Sequence, residues 1–412
     1  MKIRAILIFL LVAVTCCAAS ATEPNYKKIV VSDKFHSEGA AFGDFNKDGV
    51  MDIVSGHFWY EGPDFKKKHQ IYEGKDFDPK GYSNSFVIFT DDINKDGWDD
   101  VLICPHPGTT GSWYENPKNK EGFWKAYETT IELGNESQYF VDVDGDGLRD
   151  VVFNRNDWYG FITRDKSNPH APWKFVPVSK KDAKYKRYFH GVGAGDINGD
   201  KRLDLLEQDG WWEQPANANQ VPWKFHPFKF APTPSYILAY DFDGDGLTDV
   251  FTTLHCHQYG LVWYRQVKDA KGNIDFVRNS IMPEEPGQSY FPRVSQMHAM
   301  VLADMNGDGV MDVVTGKRWW AHGPNKDAEP NDPAILMWWE TKRLGHGKVE
   351  FIPHILDYDC GVGTQVTVED INKDGIPDIL VGNKKGTRVL ISCPAFPNKG
   401  LYGDTTKEEW DA

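Results

Sequence analysis

The sequence predicts an all-β fold: a seven-bladed β-propeller with an Asp-rich cation-binding loop in each blade, closed into a ring by an N-terminal strand. Three observations predict it. One loop pattern recurs seven times at start-to-start intervals of 48, 50, 54, 45, 63 and 66 residues. Each copy lies between an apolar run and a β-branched or aliphatic exit such as DIV, DVV, DLL or DIL. The chain also provides an extra strand at its start where the last repeat lacks one.

The loop is clearest in GDFNKDGVMDIV, residues 43–54. Asp44, Asn46, Asp48 and Asp52 occupy loop positions one, three, five and nine, and Gly49 occupies position six. Oxygen donors on alternate residues around a glycine bend suit a hard cation such as Ca²⁺. The other copies place Asp92, Asn94, Asp96 and Asp100; Asp142, Asp144, Asp146 and Asp150; and Asp196, Asn198, Asp200 and Asp204. They continue with Asp241, Asp243, Asp245 and Asp249; Asp304, Asn306, Asp308 and Asp312; and Asp370, Asn372, Asp374 and Asp378. In the fourth loop Lys201 stands where the others have glycine. These loops read as structural Ca²⁺ sites that exit into strands, unlike an EF-hand.

Residues 1–21 read as a signal peptide. Lys2 and Arg4 precede the apolar run AILIFLLVAV, and Ala19-Ser20-Ala21 supplies small residues for cleavage. Thr15 ahead of Cys16 is a poor fit to lipid attachment, so the expectation is a periplasmic or secreted protein. Residues 22–412 form the single propeller domain, and no other segment is apolar enough to span a bilayer. The formal charge of −14 falls to −16 without Lys2 and Arg4. The 23 aspartates at loop positions account for that acidity, which argues against a nucleic-acid partner. Cys104, Cys256, Cys360 and Cys393 leave room for one or two disulfides of unassigned pairing.

Within a repeat, the apolar run before the loop is the innermost strand and the run after it the second. The third carries an aromatic signature: FWYEGP at 58–63, SWYENP at 112–117, WWEQP at 211–215, VWYRQ at 262–266 and MWWE at 337–340. These aromatics are expected to pack between blades. Outer strands follow at WKAYETTI, WKFVPV, WKFHPF, DFVRNSI and EFIPHIL. The seventh repeat has no fourth strand, and NYKKIVV from Asn25 supplies it, removing the open sheet edge.

If the acidic loops mark one end of the ring, the opposite mouth receives the start of each first strand and the turn after each second strand. Counting six residues back from each loop gives Glu38, Phe86, Glu136, His190, Ser235, His298 and Thr364. Counting five or six beyond each loop gives His57, His106, Arg155, Asp209, His255, Lys317 and Asn383, with His257 two residues past His255. Five of the 13 histidines fall in the two sets, and His257 makes a sixth. Convergent ionisable groups in a concave mouth define the site expected here. No nucleophile elbow, Walker loop, Rossmann fingerprint or HExxH motif is present.

The repeats resemble FG-GAP/VCBS-type propellers over essentially the whole mature chain. FHGVGAGDINGDKRLDLLEQDGWWEQP, residues 189–215, resembles the propeller of the aldos-2-ulose dehydratase family. That resemblance implies a carbon–oxygen lyase acting on a keto-sugar, with a metal ion and a histidine base; the cupin region that follows the propeller in that family is absent here. Such an elimination needs a base for the α-proton, an electrophile at the carbonyl and an acid for the leaving group. His190 or His298 is expected as base, and Zn²⁺ or another divalent metal on His57, His106, His255 and His257 as electrophile. Glu136 or Glu38 would complete the coordination or protonate the leaving group, and Arg155 and Lys317 suit a sugar acid or an enolate. The alternative is a non-catalytic propeller that binds carbohydrate or protein.

Overall fold

A computed structural model describes residues 25–285 and 290–393. The expected signal peptide lies outside the described residues. β1 (Tyr26–Ser32) precedes seven blades. β2–β5 span Ala41–Gly43, Asp52–Ser55, Phe58–Tyr60 and Lys68–Gln70; β6–β9 span Val87–Asp91, Asp100–Cys104, Thr109–Glu115 and Lys125–Leu133. β10–β13 span Tyr139–Val141, Asp150–Arg155, Trp158–Thr163 and Lys174–Pro177; β14–β17 span Gly193–Gly195, Asp204–Glu207, Gly210–Glu213 and Lys224–Pro227. β18–β21 span Ile237–Tyr240, Asp249–Thr253, Leu261–Lys268 and Ile274–Met282; β22–β25 span Met300–Ala303, Asp312–Gly316, Leu336–Gly345 and Lys348–Asp357. β26–β28 span Val366–Glu369, Asp378–Asn383 and Gly386–Ser392. Each of the first six blades is a four-stranded antiparallel meander, and the seventh has the order β1-β28-β27-β26. The N-terminal strand therefore closes the ring, as expected, pairing Tyr26 with Ser392 through Ser32 with Thr387. Among the described residues no helix forms, and none is long and apolar enough to cross a membrane.

The first strands of the blades line a central channel of about 380 Å³, touched by Ala41, Phe89, Tyr139, Ala194, Leu238, Leu302 and Val368. Apolar burial is divided into seven clusters, one at each interface between neighbouring blades. The interface of blades five and six holds 15 buried residues, including Trp263, Met337 and Trp339. The closure interface of blades seven and one holds seven, Ala40, Phe42, Ile53, Tyr60, Phe65, Leu380 and Val389. The seam where the ring closes is thus the one with the smallest apolar cluster.

The third-strand tryptophans are buried at these interfaces, and four outer histidines are explained by them. Trp59, Trp211 and Trp338 stack on the cross-strand rings of His69, His226 and His354, at centroid distances of 4.1, 3.9 and 4.3 Å. Each of those histidines hydrogen-bonds through Nε2 to the glutamate two residues past the tryptophan: Glu61, Glu213 and Glu340. His170 lies 5.6 Å from Trp113 in the second blade.

The acidic loops fold inward on their own backbone. Asp44 accepts the amides of Asp48 and Gly49, and Asp48 accepts that of Val50. The aspartate at position nine does a second job. Asp52, fully buried, accepts the Phe45 amide on Oδ2 and the Gly62 amide on Oδ1, which clamps the loop to the exit of the third strand. Asp100, Asp204, Asp249, Asp312 and Asp378 repeat the clamp. Asp142, Asp144 and Asp146 bring three carboxylate oxygens within 4.8 Å, as do Asp241, Asp243 and Asp245.

Position six is left-handed in every loop, including Lys201 at φ 68°. A side chain there disfavours the bend that glycine takes freely. Arg202 beside it pairs with Asp200, and so supplies a cation to a loop that lacks the glycine. Lys201→Gly should raise stability by about 1 kcal/mol, read as a melting temperature higher by about 2 °C. An unchanged or lower melting temperature would count against strain at this position. The four described cysteines, Cys104, Cys256, Cys360 and Cys393, are free thiols.

Candidate functional site

Because each acidic loop ends a first strand and starts a second, the residues before the one and after the other gather at the far end of the ring. His190 enters from the segment before β14, His298 from the segment before β22, and His257 from the turn after β19. With Cys256 they bring four candidate ligand atoms within 4.8 Å of one another. The ring centroids of His257 and His298 are 4.4 Å apart, those of His190 and His257 5.3 Å, and those of His190 and His298 6.1 Å. Nε2 of His190, Nε2 of His298 and Nδ1 of His257 are buried without a hydrogen-bond partner. On its other nitrogen His298 donates Nδ1–H to the Gln296 carbonyl at 3.2 Å, which leaves Nε2 its lone pair.

Burial lowers the proton affinity of all three rings. His257 is pushed down to about 3 by burial and by the neighbouring His190, His322 and Arg318. His298 falls well below the usual range, from burial and from His257 and Arg318. His190 falls too, with burial outweighing the attraction of Glu136. Three neutral imidazoles with converging lone pairs are what a divalent transition metal requires. Cys256 is held as a neutral thiol by burial.

A long connection between β23 and β24 covers this cluster and supplies its surroundings. Arg318 in that segment is fixed through its backbone amide to Gln296 and aims a guanidinium inward, 2 % exposed. Nε bonds Glu38 Oε2 at 2.9 Å, NH2 pairs with the same carboxylate, and NH1 meets Glu136 Oε2 at 2.5 Å. Burial raises Glu136, but Arg318 outweighs it and holds the carboxyl down to about 2. Further along, His322 donates Nδ1–H to Asp327 at 2.8 Å, and its ring lies 4.3 Å from that of His257. His257, His322 and Asp327 form a second ligand cluster sharing His257 with the first.

The backbone around the cluster is strained. Tyr188, Gln296, Trp320, Asp327 and Glu329 all hold left-handed φ values between 45° and 65° without being glycine. Each such residue costs about 1–3 kcal/mol, and their concentration at one place is a mark of functional sites.

The structure thus brings His190, His298, His257, Glu136 and Glu38 together, and it leaves the other residues expected at the mouth outside the ligand cluster, with His106 still within electrostatic reach of Glu136 and Glu38. His57 packs on Phe58 at 4.1 Å and faces His36 at 5.2 Å in a different cluster. His106 sits among Tyr82, Phe86 and Tyr188. His255 and His257 do not share a strand face, because β19 ends at Thr253 and the chain turns: His255 approaches Thr233 Oγ1 at 3.2 Å, away from the cluster. Arg155 covers the Phe175 ring at the end of β11. Lys317 is buried, lowered to about 8 by burial, and bonds Ser295 Oγ and the Glu329 carbonyl. Sequence reasoning missed Arg318, Cys256, His322 and Asp327. Arg318 lies six residues beyond Asp312, the offset that selected His106 and His255, and was passed over for Lys317 at five.

Residues 92–153 and 241–315 match the FG-GAP-like repeat family. The chain carries FG-GAP-like repeats. No curated protein matches it. Among solved structures, BBS1N in its complex with ARL6DN aligns at a TM-score of 0.51 and 10% identity, over 91% of this chain and 98% of that one. A lectin from Agrocybe aegerita that recognises non-reducing terminal N-acetylglucosamine aligns at 0.47 and 15% identity, over 90% and 86%. A protein from Lactobacillus plantarum gives 0.47 and 10%, over 80% and 86%. The likeness to BBS1N is one of fold.

Proposed function

We propose that this FG-GAP propeller is an exported, metal-dependent carbon–oxygen lyase acting on an oxidised sugar. The observation that carries the reading is the convergence of the His190, His257 and His298 rings, each with a buried nitrogen that makes no hydrogen bond, beside a hydrogen-bonded His322–Asp327 pair whose carboxylate also lies 3.7 Å from His257 Nδ1. The resemblance of residues 189–215 to the aldos-2-ulose dehydratase propeller supports the substrate class.

His190, His257 and His298 would hold a divalent ion such as Zn²⁺, which supplies Lewis-acid polarisation of a carbonyl. His190 and His298 therefore move from the role of base to that of ligand, since rings so buried bind protons weakly. His322 takes the role of base: with Nδ1–H held by Asp327, its Nε2 is free to accept the α-proton, and the carboxylate stabilises the imidazolium that forms. The proton then passes to the departing oxygen as the carbon–oxygen bond breaks. Arg318 positions Glu38 and Glu136 around the histidines. The seven acidic loops would hold structural Ca²⁺ away from this chemistry.

One observation favours a binding protein instead. Glu38, His298 and Arg318 are each 2 % exposed or less, so a ligand meets only the half-buried edges of His190, His257 and His322. Trp319 and Trp320, stacked at 3.9 Å in the covering segment, would then offer a sugar-binding surface.

Metal-reloaded protein should turn 2- or 3-keto sugars into products with enone ultraviolet absorbance. His322→Gln should keep the transition metal and lose at least about a hundredfold in rate. His298→Gln should lose both. Saccharide binding by calorimetry without turnover in the metal-loaded protein would decide for the binding reading.

A further inference from the structure

A second group of metal-ligating side chains lies at the closure seam and shares no residue with the His190 cluster. His36, His57 and Asp76 bring three candidate ligand atoms within 4.8 Å of one another. They come from three separate pieces of chain: the segment joining β1 to β2, the turn joining β3 to β4, and the connection from β5 to β6. His36 is 3 % exposed and His57 4 %, whereas the Asp76 side chain is 56 % exposed and faces outward.

The site is built rather than incidental. His36 Nδ1 is buried with no hydrogen-bond partner and lies 3.3 Å from the Asp76 carboxylate. Its Nε2 is 3.0 Å from Ser32 Oγ at the end of β1, a hydroxyl that can take Nε2–H when Nδ1 turns its lone pair to a metal. Gly74 makes room for the second ligand, since a Cβ there would fall 2.3 Å from the His57 ring. Gly56, at φ 59°, lets the backbone pass close to His36, where a Cβ would meet its carbonyl oxygen at 2.7 Å. A cavity of about 550 Å³ bordered by Ser32, Lys34, Phe58, Lys68 and Asp76 gives entry.

We infer that His36, His57 and Asp76 form a binding site for a divalent transition-metal ion, Zn²⁺ in class, that clasps the N-terminal closing segment to the first blade. Two imidazoles and a carboxylate with room for water match the ligand chemistry of such ions, and Ca²⁺ prefers oxygen donors alone. The place has a mechanical logic. The blade seven–one interface holds the smallest apolar cluster of the ring and relies on polar links, among them Ser37 to Ser55 and Ser55 to Thr387 at 2.9 and 2.7 Å. A metal here joins the segment before β2 to the β3–β4 turn and the loop beyond β5, and anchors a residue four positions past the closing strand.

The test uses the full chain carrying His190→Gln, His257→Gln and His298→Gln, which removes both ligand clusters at the mouth, stripped with chelator and held in saturating Ca²⁺ so that the acidic loops are filled. Titration with Co²⁺ should then show about one saturable equivalent with visible d–d absorption, a higher melting temperature, and slower amide exchange across Tyr26–Ser32. His57→Gln should abolish all three. Asp76→Asn, at an exposed position that leaves packing intact, should weaken binding at least about tenfold. Absence of saturable Co²⁺ binding, or binding that both variants leave unchanged, would overturn the site. Binding that leaves exchange of the closing strand unaltered would overturn the clasp. Neither result bears on the His190 cluster, which the background already lacks.

Discussion

Deleting residues 22–32 is expected to lower the melting temperature by about 10 °C. β1 supplies the outer strand of the seventh blade, and its loss leaves β28 as an open edge. Tyr26, 5 % exposed, is removed from the interface of blades six and seven, and Ile29 and Val31 from that of seven and one. Burial of such side chains is worth about 1.5–3 kcal/mol each. Lys28 also pairs with the buried Asp357 at 2.6 Å, and the Tyr26 hydroxyl donates to the Pro377 carbonyl. Asp357 would be left buried without its lysine. A truncated chain melting within a degree or two of the parent would show that the ring closes without this strand.

Arg318→Met is expected to cost about 3–5 kcal/mol, because it strands Glu38 and Glu136 as buried carboxylates with no cation. The pH dependence identifies the cause. In the parent, Glu136 titrates in the folded state near 2 against 4.5 for the free side chain. A depressed folded pKa gives stability that is fully present above about 4.5 and lost as pH falls toward 2. Without Arg318 burial dominates and the folded pKa rises, so the sign reverses: the variant should gain stability on acidification from pH 7 to 5. Adding Glu38→Gln and Glu136→Gln to Arg318→Met should recover much of the loss, since amides need no counter-charge. Denaturant unfolding at both pH values reads the effect. A variant as stable as its parent at pH 7 would remove Arg318 from the electrostatic centre of the site.

The blades were legible because their signals are local. A position-six glycine, alternate acidic residues and a β-branched exit lie within a dozen residues, and the backbone preferences they encode act over that range. Ring closure was legible by subtraction, as six repeats carry a fourth strand and the seventh does not. The position-nine clamp was half legible: Asp52 was visible as a carboxylate at ligand spacing, but the amide of Gly62 that it accepts lies beyond a strand whose register no local pattern states. The second left-handed residue of each loop was missed, because Lys47, Lys95 and Lys373 hold it without being glycine.

At the mouth, counting from the loops selected His190, His298, Glu38 and Glu136, since strand geometry sends every first strand to the same rim. The same count could not choose among its own members. His57 sits at the offset of Lys317 and His106 at that of Arg318, yet His57 faces His36 and His106 packs among Tyr82, Phe86 and Tyr188, and neither joins the ligand cluster. Which side chains meet is set by the rotation of one blade against the next and by the path of the irregular segments 254–260 and 317–335. The amino-acid sequence by itself therefore determined the number of blades, the order of strands, the closing strand and the end of the ring at which ionisable groups collect. Only the tertiary structure decided that Arg318 joins Glu38 to Glu136 across 280 and 182 residues of chain. The physical reason is that a buried guanidinium must find carboxylates wherever packing brings them, and sequence spacing carries no record of that distance.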